Sequence, residues 1–214
     1  RDASWNILAR AMEVLEASFV KKINDDGWHT ILAAIVDRNV LVYDPDAAAS
    51  QLTKRLYSLM KVIVRRNGGG NSSTAKGRLT DCFQSPESIE DIRNWTVDQL
   101  DDLSRREVYQ SADDGAPLTG IYGLKLHDMF ELGDGQEYQD YYTNDLGGSL
   151  GSSDTELVVG LDLTNRDSFI MTVKEPVTVF PDEQLHRQQR QGYYGWGEFG
   201  FGVLDGRRCV ASSF

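Results

Sequence analysis

An apolar stripe runs through the start of this chain and changes side part-way. Leu8, Met12, Leu15, Phe19 and Ile23 recur every three or four residues, which places them on one face of a helix. Glu13, Glu16, Lys21 and Lys22 fall mostly off that face. After Asn24-Asp25-Asp26-Gly27 the pattern resumes as Trp28, Ile31, Leu32 and Ile35. At about 100° per residue the second group points roughly opposite to the first. Two arrangements satisfy this. Either the helix breaks at Gly27, or one helix over residues 3–36 buries different faces at its two ends. The second is a spine, and the short strands and helices that follow need a long surface to pack on.

At 214 residues the chain can build one good core, or two lobes sharing one. No apolar run approaches the length of a bilayer span, and no signal peptide is present. A chain opening at Arg1 without Met reads as a piece of a longer product. The net charge of −11 argues against sequence-independent DNA binding as the main activity, because such binding rests on Lys and Arg contacts to phosphate. A local basic patch stays compatible with that balance. Cys82 and Cys209 stand far apart in strand-like settings, as buried thiols of a reducing compartment do, rather than as a disulfide.

Residues 40–43 form a short strand in this reading, and Asp44-Pro45-Asp46 opens a helix with Leu52, Leu56, Leu59, Met60 and Ile63 on its inner face. Arg65 and Arg66 complement its carboxyl end, and Gly68 supplies a left-handed cap. Residues 68–74 are a flexible loop by composition. Lys76 beyond it is no phosphate-loop lysine, since Ala75 and Gly77 flank it where Gly and Ser or Thr are needed. Residues 79–83 read as a buried strand. Ser85-Pro86-Glu87 then starts a helix carrying Ile89 and Ile92. Thr96 with Gln99 starts another through Leu100, Leu103 and Val108, which Asp113-Asp114-Gly115 ends. Beyond lie candidate strands at 121–126, 157–163, 169–173 and 177–180, with an extended loop at 131–151 and a polar link at 186–191. Tyr193, Trp196, Phe199 and Phe201 alternate with glycines and read as packing residues. Asp205-Gly206 between apolar runs is a hairpin signal by turn chemistry.

Little in this pattern carries chemistry. His29, His127 and His186 have no second ligand at metal spacing, and no Ser sits in a nucleophile elbow. His127, Asp128 and Glu131 form the only plausible polar cluster for an enzyme. Glu131, Asp134 and Glu137 lack the ordered spacing of a calcium loop. No catalytic residue, cofactor or metal ligand is assigned.

Four stretches carry a resemblance. They are the opening helix with its Asn-Asp-Asp-Gly, residues 78–108 (RLTDCFQSPESIEDIRNWTVDQLDDLSRREV), residues 121–144 (IYGLKLHDMFELGDGQEYQDYYTN), and residues 156–180 continuing through 186–205. Their order resembles the major capsid protein of tailed bacteriophages, the Hong Kong ninety-seven type of shell protein. The resemblance implies an α+β fold with a spine helix, a peripheral lobe and an axial lobe built on mixed and antiparallel sheets. It implies a division into a spine helix of the peripheral lobe (1–39), the axial lobe (40–160), peripheral-lobe strands (161–204) and a return strand in the axial lobe (205–214). On this last point it overrides the hairpin. The family's N-terminal arm and extended loop precede the spine helix, where this sequence begins.

The function implied is structural and not enzymatic. Copies would assemble as pentamers and hexamers into an icosahedral shell enclosing DNA without sequence-specific binding, in the virion, after assembly in the host cytoplasm. Scaffolding, portal or decoration proteins would be further partners, and no membrane is involved. Three other readings stay open: an encapsulin-like bacterial compartment, a capsid-binding decoy fragment, and a small-molecule enzyme using His127, Asp128 and Glu131.

Overall fold

The computed structural model describes residues 2–48, 51–68, 77–95, 120–151, 154–164, 168–182 and 192–214. Most of the 68–74 loop, the helix expected from Thr96 to Val108 and the 186–191 link lie outside them. The chain divides into two compact units, one of Arg1–Thr30 with Phe169–Val203 and one of Ile31–Ser168 with Leu204–Phe214.

Helix α1 spans Asp2–Arg38 without interruption, so of the two arrangements the continuous helix is the one found. The Asn-Asp-Asp-Gly stretch does not break it because its acids are paired along the helix. Lys21 reaches Asp25 at 2.9 Å and Lys22 reaches Asp26 at 2.6 Å, one turn on in each case. Thr30 Oγ1 donates to the Asp26 carbonyl at 2.8 Å. Leu15, Phe19 and Ile23 are half-buried in the first unit, whereas Leu32 and Ile35 are fully buried in the second.

In the first unit α1 is joined by β6 (Phe169–Pro181) and β7 (Tyr193–Val203), an antiparallel two-stranded ribbon. Residues 169–173 and 177–180 are thus one strand and not two. The register shifts between Val173 and Glu175 and again between Glu175 and Thr178, so the Lys-Glu-Pro stretch is absorbed as irregularity. Pro176 is tolerated because each strand of a ribbon has an unpaired edge.

The second unit is built on a six-stranded mixed sheet, in the order β1-β8-β5-β2-β4-β3. Its strands are β1 (Leu41–Val42), β2 (Asp81–Gln84), β3 (Gly120–Ile121), β4 (Leu124–Asp128), β5 (Leu157–Leu161) and β8 (Cys209–Ser213). β1 runs parallel to β8 and β2 parallel to β4, while β5 is antiparallel to both β2 and β8. Every residue of β5 and β8 is buried. The hydroxyls this places inside are satisfied. Ser212 Oγ donates to the Val42 carbonyl at 2.8 Å, and Ser213 Oγ donates to Asp154 at 2.7 Å. After β7, Asp205-Gly206 opens a short 3₁₀ turn (Gly206–Arg208) into β8 and closes no hairpin.

Helix α2 (Lys54–Asn67) and helix α3 (Pro86–Arg93) bring Leu56, Tyr57, Met60, Val64, Ile89 and Ile92 into one core with Cys82, Leu124, Val158 and Val210. The Asp44-Pro45-Asp46 stretch does not open α2. It makes a turn in which the Asp44 carboxylate accepts from the Asp46 N–H at 3.2 Å and from Thr53 Oγ1, the hydroxyl of the N-cap residue, at 2.8 Å. Ser85 does cap α3, accepting from Ser88 N at 3.2 Å. Gly68 is not a left-handed cap, since its φ is −65°. A Cβ there would lie 2.2 Å from the Gly77 nitrogen, so this glycine serves close approach of two backbone segments.

Residues 131–151 are partly helical and not an extended loop. A 3₁₀ turn (Phe130–Leu132), helix α4 (Glu137–Asp140) and a π-helical turn (Tyr141–Asp145) bury Leu132, Tyr138 and Tyr142. Tyr138 and Tyr142 form the inner face of this segment.

Candidate assembly surface

The first unit has an unusual energetic position. Among its described residues no apolar side chain is fully buried. An isolated two-stranded ribbon is marginal in water at best, so α1 supplies what cover the ribbon has. Gly195 makes that contact close, because a Cβ there would lie 2.3 Å from the Phe19 ring. Gly27 lies against Phe201 with 3.4 Å of clearance for a Cβ. Half-exposed Val177 and Val179 share the parity of Gly195 and Phe201 along the ribbon.

The other face carries Phe180, Tyr194 and Trp196. Phe180 and Tyr194 stack across the strands at 5.6 Å, and both remain exposed. Trp196 is 56% exposed, and its indole N–H donates to Glu175 at 3.0 Å. Tyr193 and Trp196 are therefore not simple packing residues, whereas Phe199 and Phe201 are partly covered. Alternation with glycine cannot tell which face of a ribbon is covered. Lys174 pairs with Glu198 on the same ribbon at 2.8 Å. Ile170, Met171 and Val173 are exposed as well, as are Met12, Val14 and Val20 on α1. Clusters of exposed aromatics and aliphatics with a few charges have the composition of an interface rather than of a solvated wall.

Of the residues an enzyme reading would use, His127 is engaged by β2. His127 Nε2 pairs with Asp81 Oδ1 at 2.8 Å on the neighbouring strand, and its ring stacks on Phe83 at 4.5 Å. Asp128 is exposed at the end of β4, and Glu131 lies in the 3₁₀ turn. Among the described residues, no group of three His, Cys, Asp or Glu could hold a metal ion, Glu131, Asp134 and Glu137 included. Both cysteines are free and buried, with Cys82 pushed well up by burial and Cys209 pushed up to about 11 by burial. No helix among the described residues is long and apolar enough to cross a membrane.

Sequence reasoning missed one feature. In the second unit a cavity of about 700 Å³ is lined, among the described residues, by Lys61, Arg65, Arg66, Arg78, Tyr122 and Gly123 with three apolar or glycine neighbours and no carboxylate. The signal was in the sequence as Arg65-Arg66 and Arg78 flanking two glycines that meet, Gly68 and Gly77.

No family model matches the chain, and no curated protein matches it. Among solved structures it is similar to one from Gordonia phage Cozz, at 13% identity over 97% of this chain and 65% of that one, with a TM-score of 0.51. It is also similar to one from Mycobacterium phage Ogopogo, at 13% identity over 100% of this chain and 71% of that one, with a TM-score of 0.49. A third is the capsid of an empty GTA particle, at 11% identity over 94% of this chain and 66% of that one, with a TM-score of 0.48. The chain thus spans a little under two-thirds of the Cozz chain. It shares an α+β fold with the structure from Gordonia phage Cozz, and likeness at such identity speaks to fold alone.

Proposed function

We propose that the chain is a major capsid subunit of a tailed phage or prophage, one of many copies that assemble through pentamers and hexamers into an icosahedral shell around DNA. The observation that carries this is the first unit. A long helix and a ribbon with no fully buried apolar side chain among the described residues, and with Phe180, Tyr194 and Trp196 in solvent, are what a subunit completed by its neighbours looks like. Closed shells use several distinct surfaces per subunit, and each contact can be weak because neighbours hold it together.

On this reading the first unit is the peripheral lobe and the second is the axial lobe, with β8 as its return strand. The peripheral lobe then takes α1 only to Thr30, and residues 31–39 go with the axial lobe. Scaffolding, portal or decoration proteins are the further partners, the shell sits in the virion after assembly in the host cytoplasm, and the subunit has no catalytic task. The net charge of −11 suits a wall that does not adhere strongly to packaged DNA.

Negative-stain electron microscopy of the product of its gene, expressed alone and with neighbouring phage genes, tests the reading. Uniform closed shells or tubes are expected. Particles no larger than a monomer or dimer under both conditions would remove it.

A further inference from the structure

Exposed cationic and acidic side chains gather at opposite ends of two strands of the second unit. β2 and β4 are parallel neighbours, so their amino ends lie together and their carboxyl ends lie together. The cationic cavity is built at the amino ends. Gly77 and Arg78 lead into β2, the Tyr122-Gly123 turn leads into β4, and the end of α2 contributes Lys61, Arg65 and Arg66. Arg65 and Arg66 are exposed. This end is held rigidly. Tyr122 is in the left-handed region at φ 51°, a costly conformation for a bulky residue. It is braced by Lys61, which donates to its carbonyl, by Lys54 Nζ 4.8 Å from its ring, and by Trp95 stacked at 6.4 Å. Burial and the nearby Arg78 both lower the Lys61 ammonium from its ordinary range.

The carboxyl ends of the same two strands carry the opposite sign. Beyond β4, residues 128–151 contain no Lys or Arg. Asp128, Asp134, Glu137, Asp140 and Asp145 are all exposed there. One strand length, roughly 15 Å at 3.3 Å per residue, separates a cationic concavity from an acidic, helical projection.

We propose that the cationic cavity receives the acidic 128–145 segment of a second copy of the chain, so that copies associate head to tail through this unit. A heterologous contact of this kind generates rings when its rotation closes, and opposite charges steer the encounter and fix its register. The inference rests on the self-assembly reading above. It adds which two surfaces meet and that charge selects them.

Charge reversal at each end tests it. Arg65→Glu with Arg66→Glu makes the cavity rim acidic, and Glu137→Lys with Asp140→Lys makes the projection basic. All four side chains are exposed, so each variant should fold, and circular dichroism is the check. By sedimentation velocity the wild-type chain should associate at low salt and lose at least about tenfold in affinity near 0.5 M salt, where screening shortens to a few ångströms. Each double variant alone should lose association by at least about tenfold. An equimolar mixture should regain it as alternating one-to-one assemblies, and so should the single chain carrying all four changes.

Wild-type association that neither variant weakens would overturn the proposal and leave self-assembly standing on other surfaces. Loss in each variant without recovery in the mixture would also overturn it, since the two ends would then not be partners. If the wild-type chain binds a short single-stranded DNA oligonucleotide through Arg65 and Arg66 while association is indifferent to them, the cavity is a polyanion site and the proposal fails. A wild-type chain that stays monomeric at every salt concentration would overturn this contact and leave the self-assembly reading to the co-expression test.

Discussion

Asp162 and Arg208 are the pair on which the second unit's interior charge balance rests. Both are buried, and Asp162 also accepts from the Arg78 N–H at 2.8 Å and from the Thr164 N–H at 3.0 Å. Burial alone would raise the Asp162 carboxyl, but the hydrogen bonds from Thr164, Arg78 and Arg208 outweigh it and hold the group below the usual carboxylate range. Replacing Asp162 by Ala takes from the buried Arg208 guanidinium its nearest carboxylate, so the variant should lose about 3–5 kcal/mol in urea denaturation. A loss under about 1 kcal/mol would mean that water relieves Arg208. Because the folded value is depressed, the Asp162 contribution is complete above about pH 4 and fades as pH falls through the folded value. Glu156 behaves in the opposite sense. Burial raises it, and Glu87, Asp91 and Asp134 add repulsion, against the opposing hydrogen bond from Ser85. The folded chain holds the Glu156 proton to higher pH than the unfolded chain does. Ionising this group therefore costs stability as pH rises through its raised value. Glu156→Gln should be more stable than the wild type at pH 7, and the difference should shrink toward pH 4. Equal stability at pH 7 would show that Ser85 alone compensates the charge.

At the level of elements, the ribbon of β6 and β7 separates stability from association. Trp196 is more than half exposed, so Trp196→Ala should change the unfolding free energy of the monomer by less than about 1 kcal/mol, where a buried indole would cost about 3–5. The same change should weaken association by at least about tenfold in sedimentation, since exposed aromatic anchors dominate interfaces. A large loss of monomer stability would place the ring under cover instead. What the sequence made legible follows the same division. Local chemistry was readable: Ser85-Pro86-Glu87 caps α3 because each residue acts within one turn. The stripe change along α1 was readable too, because helical period fixes direction. Outcomes set by distant segments were not. Gly68 looks like a left-handed cap until Gly77 arrives beside it, and Asp44-Pro45-Asp46 looks like a helix start until Thr53 claims the Asp44 carboxylate. Tyr138 and Tyr142 sit inward on short helical turns that residues 131–151, polar and glycine-bearing, did not announce. Of the candidate surfaces, the aromatic ribbon was visible as a pattern but assigned to packing. The cationic cavity needed β2 and β4 to be parallel neighbours before Arg65, Arg66 and Arg78 shared one wall with Tyr122.

Over the whole molecule, the two units differ in what holds each together. The second unit owns the buried core around Leu56, Tyr57, Met60, Val158 and Val210, with two central strands wholly buried. The first owns no fully buried apolar side chain among its described residues. Local opening is governed by how much apolar surface a segment buries and how many of its backbone hydrogen bonds face water. The amides of β5, β8 and α2 should therefore exchange with deuterium only through global unfolding. Those of β6, β7 and the part of α1 before Thr30 should exchange through smaller openings, at least about a hundredfold faster in the monomer. Assembly changes one set and not the other. If neighbouring copies complete the first unit, its amides should slow toward the rate of the second unit's core when particles form, while β5 and β8 stay as they were. Uniform protection in the monomer would show that the ribbon and helix are sufficient alone, and their exposed aromatics would then need a different explanation. Slowing confined to the second unit would shift the weight of assembly from the ribbon to the charged ends of β2 and β4. Because the same exchange experiment reports both units at once, it ranks the two surfaces without altering a single residue.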